Sequence, residues 1–66
     1  MTEPEGKPPK AVHTVLVGDS LRLIALKHYG PGGQEHWKEI YQANKEVIGE
    51  NPYIIRPGQE LVIPEL

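Results

Sequence analysis

Several sets of side chains in this 66-residue sequence could do chemistry. Ser20, in the run Gly18-Asp19-Ser20-Leu21, has the form of a nucleophile. An attacking serine needs a histidine base within hydrogen-bond reach and an acid to orient that base. The ordinary role of Asp19 or Ser20 is to accept a hydrogen bond from the free N–H groups at the start of a helix. His13, His28 and His36 could ligate a metal, but metal sites favour histidines paired at close spacing on one element, and these are scattered. They read as surface or boundary residues. Glu35, Glu39, Glu46, Glu50, Glu60 and Glu65 suggest no catalytic pair, because glycoside hydrolysis needs two carboxyl groups facing each other about 5–10 Å apart across a cleft. Trp37 and Tyr41, four residues apart, fit core packing on one helix face. Tyr53 follows Asn51-Pro52 in a loop and precedes Ile54-Ile55. So small a body cannot bury all three, so Ile55 is expected inward, with Tyr53 or Ile54 lining a surface groove. The expectation is a non-catalytic chain with no cofactor and no metal.

The elements that must hold these residues are short. Thr14-Val15-Leu16-Val17 is β-branched and apolar and predicts a strand, stopped by Gly18-Asp19-Ser20. Leu21, Ile24, Ala25 and His28 fall at helical spacing, and Leu23 and Leu26 would widen the stripe. Gly30-Pro31-Gly32-Gly33 ends that helix. A second helix is expected to start near Gln34 or Glu35, with Trp37, Ile40, Tyr41 and Asn44 on one face. Val47 and Ile48 are expected to pack inward after it. Asn51-Pro52 begins a loop, Pro57-Gly58 suits a type II turn, and Leu61-Val62-Ile63 predicts a closing strand ended by Pro64. Strand–helix–helix–strand lets the first and last segments pair as one sheet. The two connections beside that sheet then become the expected working surface.

Size and composition narrow the function. One domain is the most that 66 residues allow. A chain so short buries only about 60% of the surface its unfolded form exposes, so an enclosed active site is not expected. The seven Lys and Arg residues are scattered and the formal net charge is -2, which argues against nucleic acid as a partner. There is no cysteine to form disulfides or thiolate metal sites. No apolar run is long enough to span a membrane, and no signal peptide is visible in this chain. Residues 1–10 hold three prolines and mixed charges, and predict a disordered segment, either a linker joining the domain, residues 11–66, to something larger or a loose chain end.

Two families share motifs with the chain. Gly18-Asp19-Ser20-Leu21 resembles the serine motif of a lipase and esterase family, but the chain lacks that family's Asp-x-x-His pair and doubly wound sheet. A broader resemblance is to the lysin motif (LysM) domain. It rests on Val17-Gly18-Asp19-Ser20-Leu21, Ile24-Ala25, Ala43-Asn44 and Ile55-Arg56-Pro57-Gly58-Gln59-Glu60-Leu61-Val62-Ile63-Pro64, in that order over about residues 12–64. It implies an α+β fold of βααβ type, with two helices on one face of a two-stranded antiparallel sheet. It also implies a monomeric, non-catalytic module that binds N-acetylglucosamine polymers such as peptidoglycan or chitin. The implied glycan contacts are Gly18, Asp19, Ser20, Leu21, Asn51, Pro52, Tyr53, Ile54 and Ile55, and the implied location is the cell envelope or cell wall. The long connection from Tyr29 to Trp37 resembles the subtype seen in BON–LysM and phage-tail-like proteins. That likeness implies an alternative role as a protein–protein docking module.

Overall fold

The computed structural model describes residues 9–66. The expected linker lies almost wholly outside the described residues. Of its last two, Lys10 donates its N–H to the Ile63 carbonyl at 2.7 Å.

Strand β1 (Ala11–Thr14) pairs antiparallel with strand β2 (Glu60–Ile63), placing Val12 opposite Val62 and His13 opposite Leu61. The first strand was expected at Thr14–Val17 and lies three residues earlier. The cause is the sequence around Asp19. Val15 still bonds to the closing segment, through its N–H to Gln59 and its carbonyl to Gly58, each at 2.8 Å. The Leu16 N–H then donates to the Asp19 carboxylate at 2.9 Å, and the Asp19 N–H returns to the Leu16 carbonyl at 3.0 Å. These bonds bend the chain into a turn, leaving Val17 87% exposed. Alternation along the strands sends His13, Val15, Leu61 and Ile63 to the inner face.

Helix α1 (Leu21–Tyr29) starts at Ser20, whose hydroxyl oxygen accepts the Leu23 N–H at 3.2 Å. Leu21, Ile24 and Ala25 are buried as the spacing predicts. Leu23 and Leu26 are not: at about 100° per residue they fall on the opposite side of the helix, and both are exposed. After the glycine-rich break the chain forms a 3₁₀ helix (Gly33–His36), then α2 (Trp37–Ala43) and a single-turn α3 (Lys45–Ile48). The second helix therefore starts later than expected and is interrupted at Asn44. Gly33 is needed for contact: a Cβ there would stand 2.5 Å from the Tyr29 Cβ. Val15, Leu21, Ile24, Ala25, Ile40, Leu61 and Ile63 form the core, with Tyr29, Trp37, Tyr41, Ile48 and Ile55 closing its sides. Ile48 packs inward as expected, whereas Val47 is exposed. The architecture is the expected α+β arrangement of helices on a two-stranded antiparallel sheet.

A two-stranded sheet leaves its outer edges unpaired, and here one edge is closed by a side chain. In an antiparallel pair, alternate residues turn their backbone groups away from the partner strand. Val62 does so on β2, and Asn44 takes both groups. Its Oδ1 accepts the Val62 N–H at 2.7 Å and its Nδ2 donates to the Val62 carbonyl at 2.8 Å. The second Nδ2 hydrogen goes to the Ile40 carbonyl, also at 2.8 Å. Asn44, 4% exposed, thus acts as a one-residue third strand that ties α2 to the sheet. Nearby, the Tyr41 hydroxyl donates to the Gly49 carbonyl at 2.6 Å. The Tyr29 hydroxyl likewise donates to the Pro64 carbonyl, fastening the end of α1 to the chain just after β2.

Candidate functional site

Pairing of the first and last segments brings the start of α1, the start of α2 and the loop after α3 to one side of the molecule. Between them lies a groove lined by Ser20, Leu21, Arg22, Trp37, Pro52 and Tyr53, with a volume of about 80 Å³. Pockets that enclose a small molecule run to about 300 Å³ or more, so this groove can touch only one side of a ligand. Its aromatic wall is a pair: the Trp37 and Tyr53 rings have centroids 6.3 Å apart and planes inclined by 35°. Trp37 is half-buried against the core, while Tyr53 is 81% exposed. Local bonds present Tyr53 outward. The Asn51 Oδ1 accepts the Tyr53 N–H at 2.9 Å, and the Asn51 carbonyl accepts the Ile54 N–H at 3.1 Å, forming a tight turn.

The nine residues expected to contact a glycan therefore divide. Ser20, Leu21, Pro52 and Tyr53 line the groove. Gly18, Asp19 and Asn51 shape the two loops, Gly18 with φ of +91° at the turn before α1. Ile54 is exposed outside the lining set, and Ile55 packs against the core. Two lining residues were missed. Trp37 was assigned chiefly to core packing from its helical spacing, with ligand stacking as the lesser alternative; a large ring at a helix start can bury one side and show the other. Arg22 carries no local signal; it becomes a groove residue only when the last loop folds over against α1.

Behind the first loop lies a second constellation that the sequence did not reveal. The His13 Nε2 stands 2.9 Å from the Asp19 Oδ2, and its Nδ1 stands 3.0 Å from the His28 Nε2. The two imidazoles meet edge to face at 88°. His13 is 7% exposed, so it is a core residue and not the surface or boundary histidine expected. The hydrogen bonds from His13 and from the Leu16 N–H hold the Asp19 carboxyl below its usual range. Burial, then the nearby charges of His13, Lys27 and Lys10, hold His28 below the ordinary histidine value. The contact between the rings accommodates one proton. With both imidazoles charged, two N–H groups would point at each other.

This arrangement bears on Ser20. Both ring nitrogens of His13 are engaged by Asp19 and His28, and the Ser20 hydroxyl oxygen is engaged as a helix cap. Neither ring nitrogen of His13 is thus left unengaged to serve Ser20 as a base. His36 stands 3.5 Å from Glu39 on the next turn and packs edge-on to Tyr29. Among the described residues no three His, Cys, Asp or Glu side chains are placed to share a metal ion.

The family model for the LysM domain matches residues 13–64. The chain belongs to the LysM family. No curated protein and no solved structure gives a significant match. LysM domains in general are carbohydrate-binding modules for N-acetylglucosamine polymers and are generally not catalytic. The match runs from His13 in β1 to Pro64 after β2, so it takes in both loops of the groove and the histidine pair behind it. Among the described residues no helix is long and apolar enough to cross a membrane.

Proposed function

We propose that this LysM domain is a non-catalytic module that binds peptidoglycan through the groove between Ser20–Arg22, Trp37 and Pro52–Tyr53. The observation that carries this reading is the junction of the two loops around an exposed aromatic ring. Tyr53 stands out in water beside Pro52 and Trp37. An exposed ring next to an apolar wall offers a platform for the apolar face of a pyranose and for an acetyl methyl. Backbone N–H and C=O groups of the loops supply partners for the acetamido group. So shallow a groove gives modest affinity for each module, which suits a domain linked in series or attached to a larger cell-envelope protein.

A second reading, docking to another protein, has its own support. Val12 and Val62 face each other across the strands on the outward side of the sheet, and both are exposed. Amide NMR during titration with peptidoglycan fragments separates the readings. Shifts centred on residues 20–22, 37 and 52–53 are expected. Absence of any shift at millimolar fragment would overturn glycan binding and favour docking.

A further inference from the structure

Five of the six residues lining the groove are uncharged, and the sixth is Arg22. Arg22 is exposed and forms no ion pair among the described residues. The nearest acid in sequence, Asp19, is already held by His13 and the Leu16 N–H. A cationic side chain thus lines a shallow groove, on a chain whose formal net charge is -2. A neutral chitin chain offers Arg22 hydrogen-bond acceptors but no opposite charge. A carboxylate supplies that charge, and it matches a guanidinium with two parallel hydrogen bonds.

Building on the groove's reading as a glycan site, we propose that Arg22 determines its specificity by pairing with a carboxylate on the bound glycan, so that the domain favours acidic over neutral N-acetylglucosamine polymers. In peptidoglycan such a group has two sources: the lactyl carboxyl of N-acetylmuramic acid where no peptide is attached, or the carboxyls of the stem peptide where one is. The groove's position on an open surface allows either to reach Arg22 while the sugar rests on Tyr53.

The test uses isothermal titration or NMR with three ligands of equal sugar length: a chitin oligomer, a peptide-free strand of alternating N-acetylglucosamine and N-acetylmuramic acid, and the same strand carrying stem peptides. At low salt, one of the acidic ligands should bind about three- to fivefold tighter than chitin, the range of a partly exposed ion pair. That preference should shrink as salt rises. Whichever acidic strand binds tighter identifies the source of the carboxylate. In Arg22→Gln the ratio of acidic to neutral affinity should fall to about one, and Arg22→Lys should restore part of it. Because residue 22 is exposed on α1, an unchanged amide spectrum elsewhere confirms that the variants remain folded. Equal binding of all three ligands by the natural protein, or a preference that survives Arg22→Gln, would overturn the role of Arg22 while leaving glycan binding standing. Failure of every ligand to bind would instead remove the glycan reading, and this inference with it.

Discussion

Replacing Asn44 by alanine should be among the most damaging single changes to this domain. The substitution removes three hydrogen bonds, to Ile40 and to both backbone groups of Val62. It orphans the edge of β2 at a site where Asn44 is almost fully buried. An unsatisfied buried backbone group costs about 1–3 kcal/mol, so two such groups at the low end and a small cavity give a loss of about 3 kcal/mol. Domains of this size hold roughly 3–10 kcal/mol in all. The melting temperature should therefore fall by about 15–20 °C, measured by circular dichroism. Asn44→Asp keeps the acceptor for the Val62 N–H but aims a charge at the Ile40 and Val62 carbonyls. Burial and those carbonyls raise the new carboxyl's pKa in the folded state. The variant should then regain stability as pH falls through that raised value, because the protonated acid donates one bond again. A loss below about 0.5 kcal/mol for Asn44→Ala, or an Asn44→Asp variant with the same pH dependence as the parent, would refute the edge-closing role.

The remaining predictions concern other parts of the molecule. Gly33→Ala should lower the urea midpoint by an amount equivalent to about 1–3 kcal/mol, since its methyl would collide with the Tyr29 Cβ; an unchanged midpoint would show that the 3₁₀ helix shifts freely. Because the His28 pKa is lowered by folding, the unfolded chain takes up protons first, and stability should decline as pH falls from about 6.5; replacing His28 by Gln should flatten this slope in denaturation profiles. The lowered Asp19 pKa adds a second decline at more acid pH, below the ordinary aspartate range, and Asp19→Asn should remove it. Tyr53→Ala should leave the melting temperature nearly unchanged, given its exposure, and weaken glycan binding by about 1 kcal/mol, or roughly fivefold; the single tryptophan, Trp37, beside Tyr53 offers a fluorescence readout for that titration.

The parts of the fold visible in the sequence were those set by local repetition. The buried stripe of α1 follows from helical spacing of Leu21, Ile24 and Ala25, and the inner face of β2 from alternation of Leu61 and Ile63. The misplaced parts were set by polar side chains acting over a few residues or across the fold. Thr14–Val17 has good strand composition, yet the Asp19 carboxylate captures the Leu16 N–H and turns the chain. Asn44 occupies a helical position by spacing, yet its amide is used on β2, and the second helix breaks there. The groove was half visible for the same reason. Ser20, Pro52 and Tyr53 sit on loops that the sequence marks with Gly, Asn and Pro, and Leu21 follows one of them as the first residue of α1, whereas Arg22 and Trp37 join them only through tertiary contact.

The polar residues of the first loop also limit how the groove can work. Asp19 spends its carboxylate on His13 and Leu16, and Ser20 spends its hydroxyl oxygen on the cap of α1. A small core cannot hold a loop rigidly by apolar packing alone, so these bonds supply the rigidity. Those oxygens are then occupied, and under the proposed reading a sugar laid in the groove would meet backbone groups, Leu21, Pro52, the Tyr53 and Trp37 rings and Arg22. Of these, only Arg22 carries charge, and the two rings are the largest apolar surfaces. Affinity should therefore follow the aromatic pair, and discrimination among sugars should follow Arg22. Substitutions at Asp19 or His13 should change binding only as far as they loosen the loop that carries Ser20.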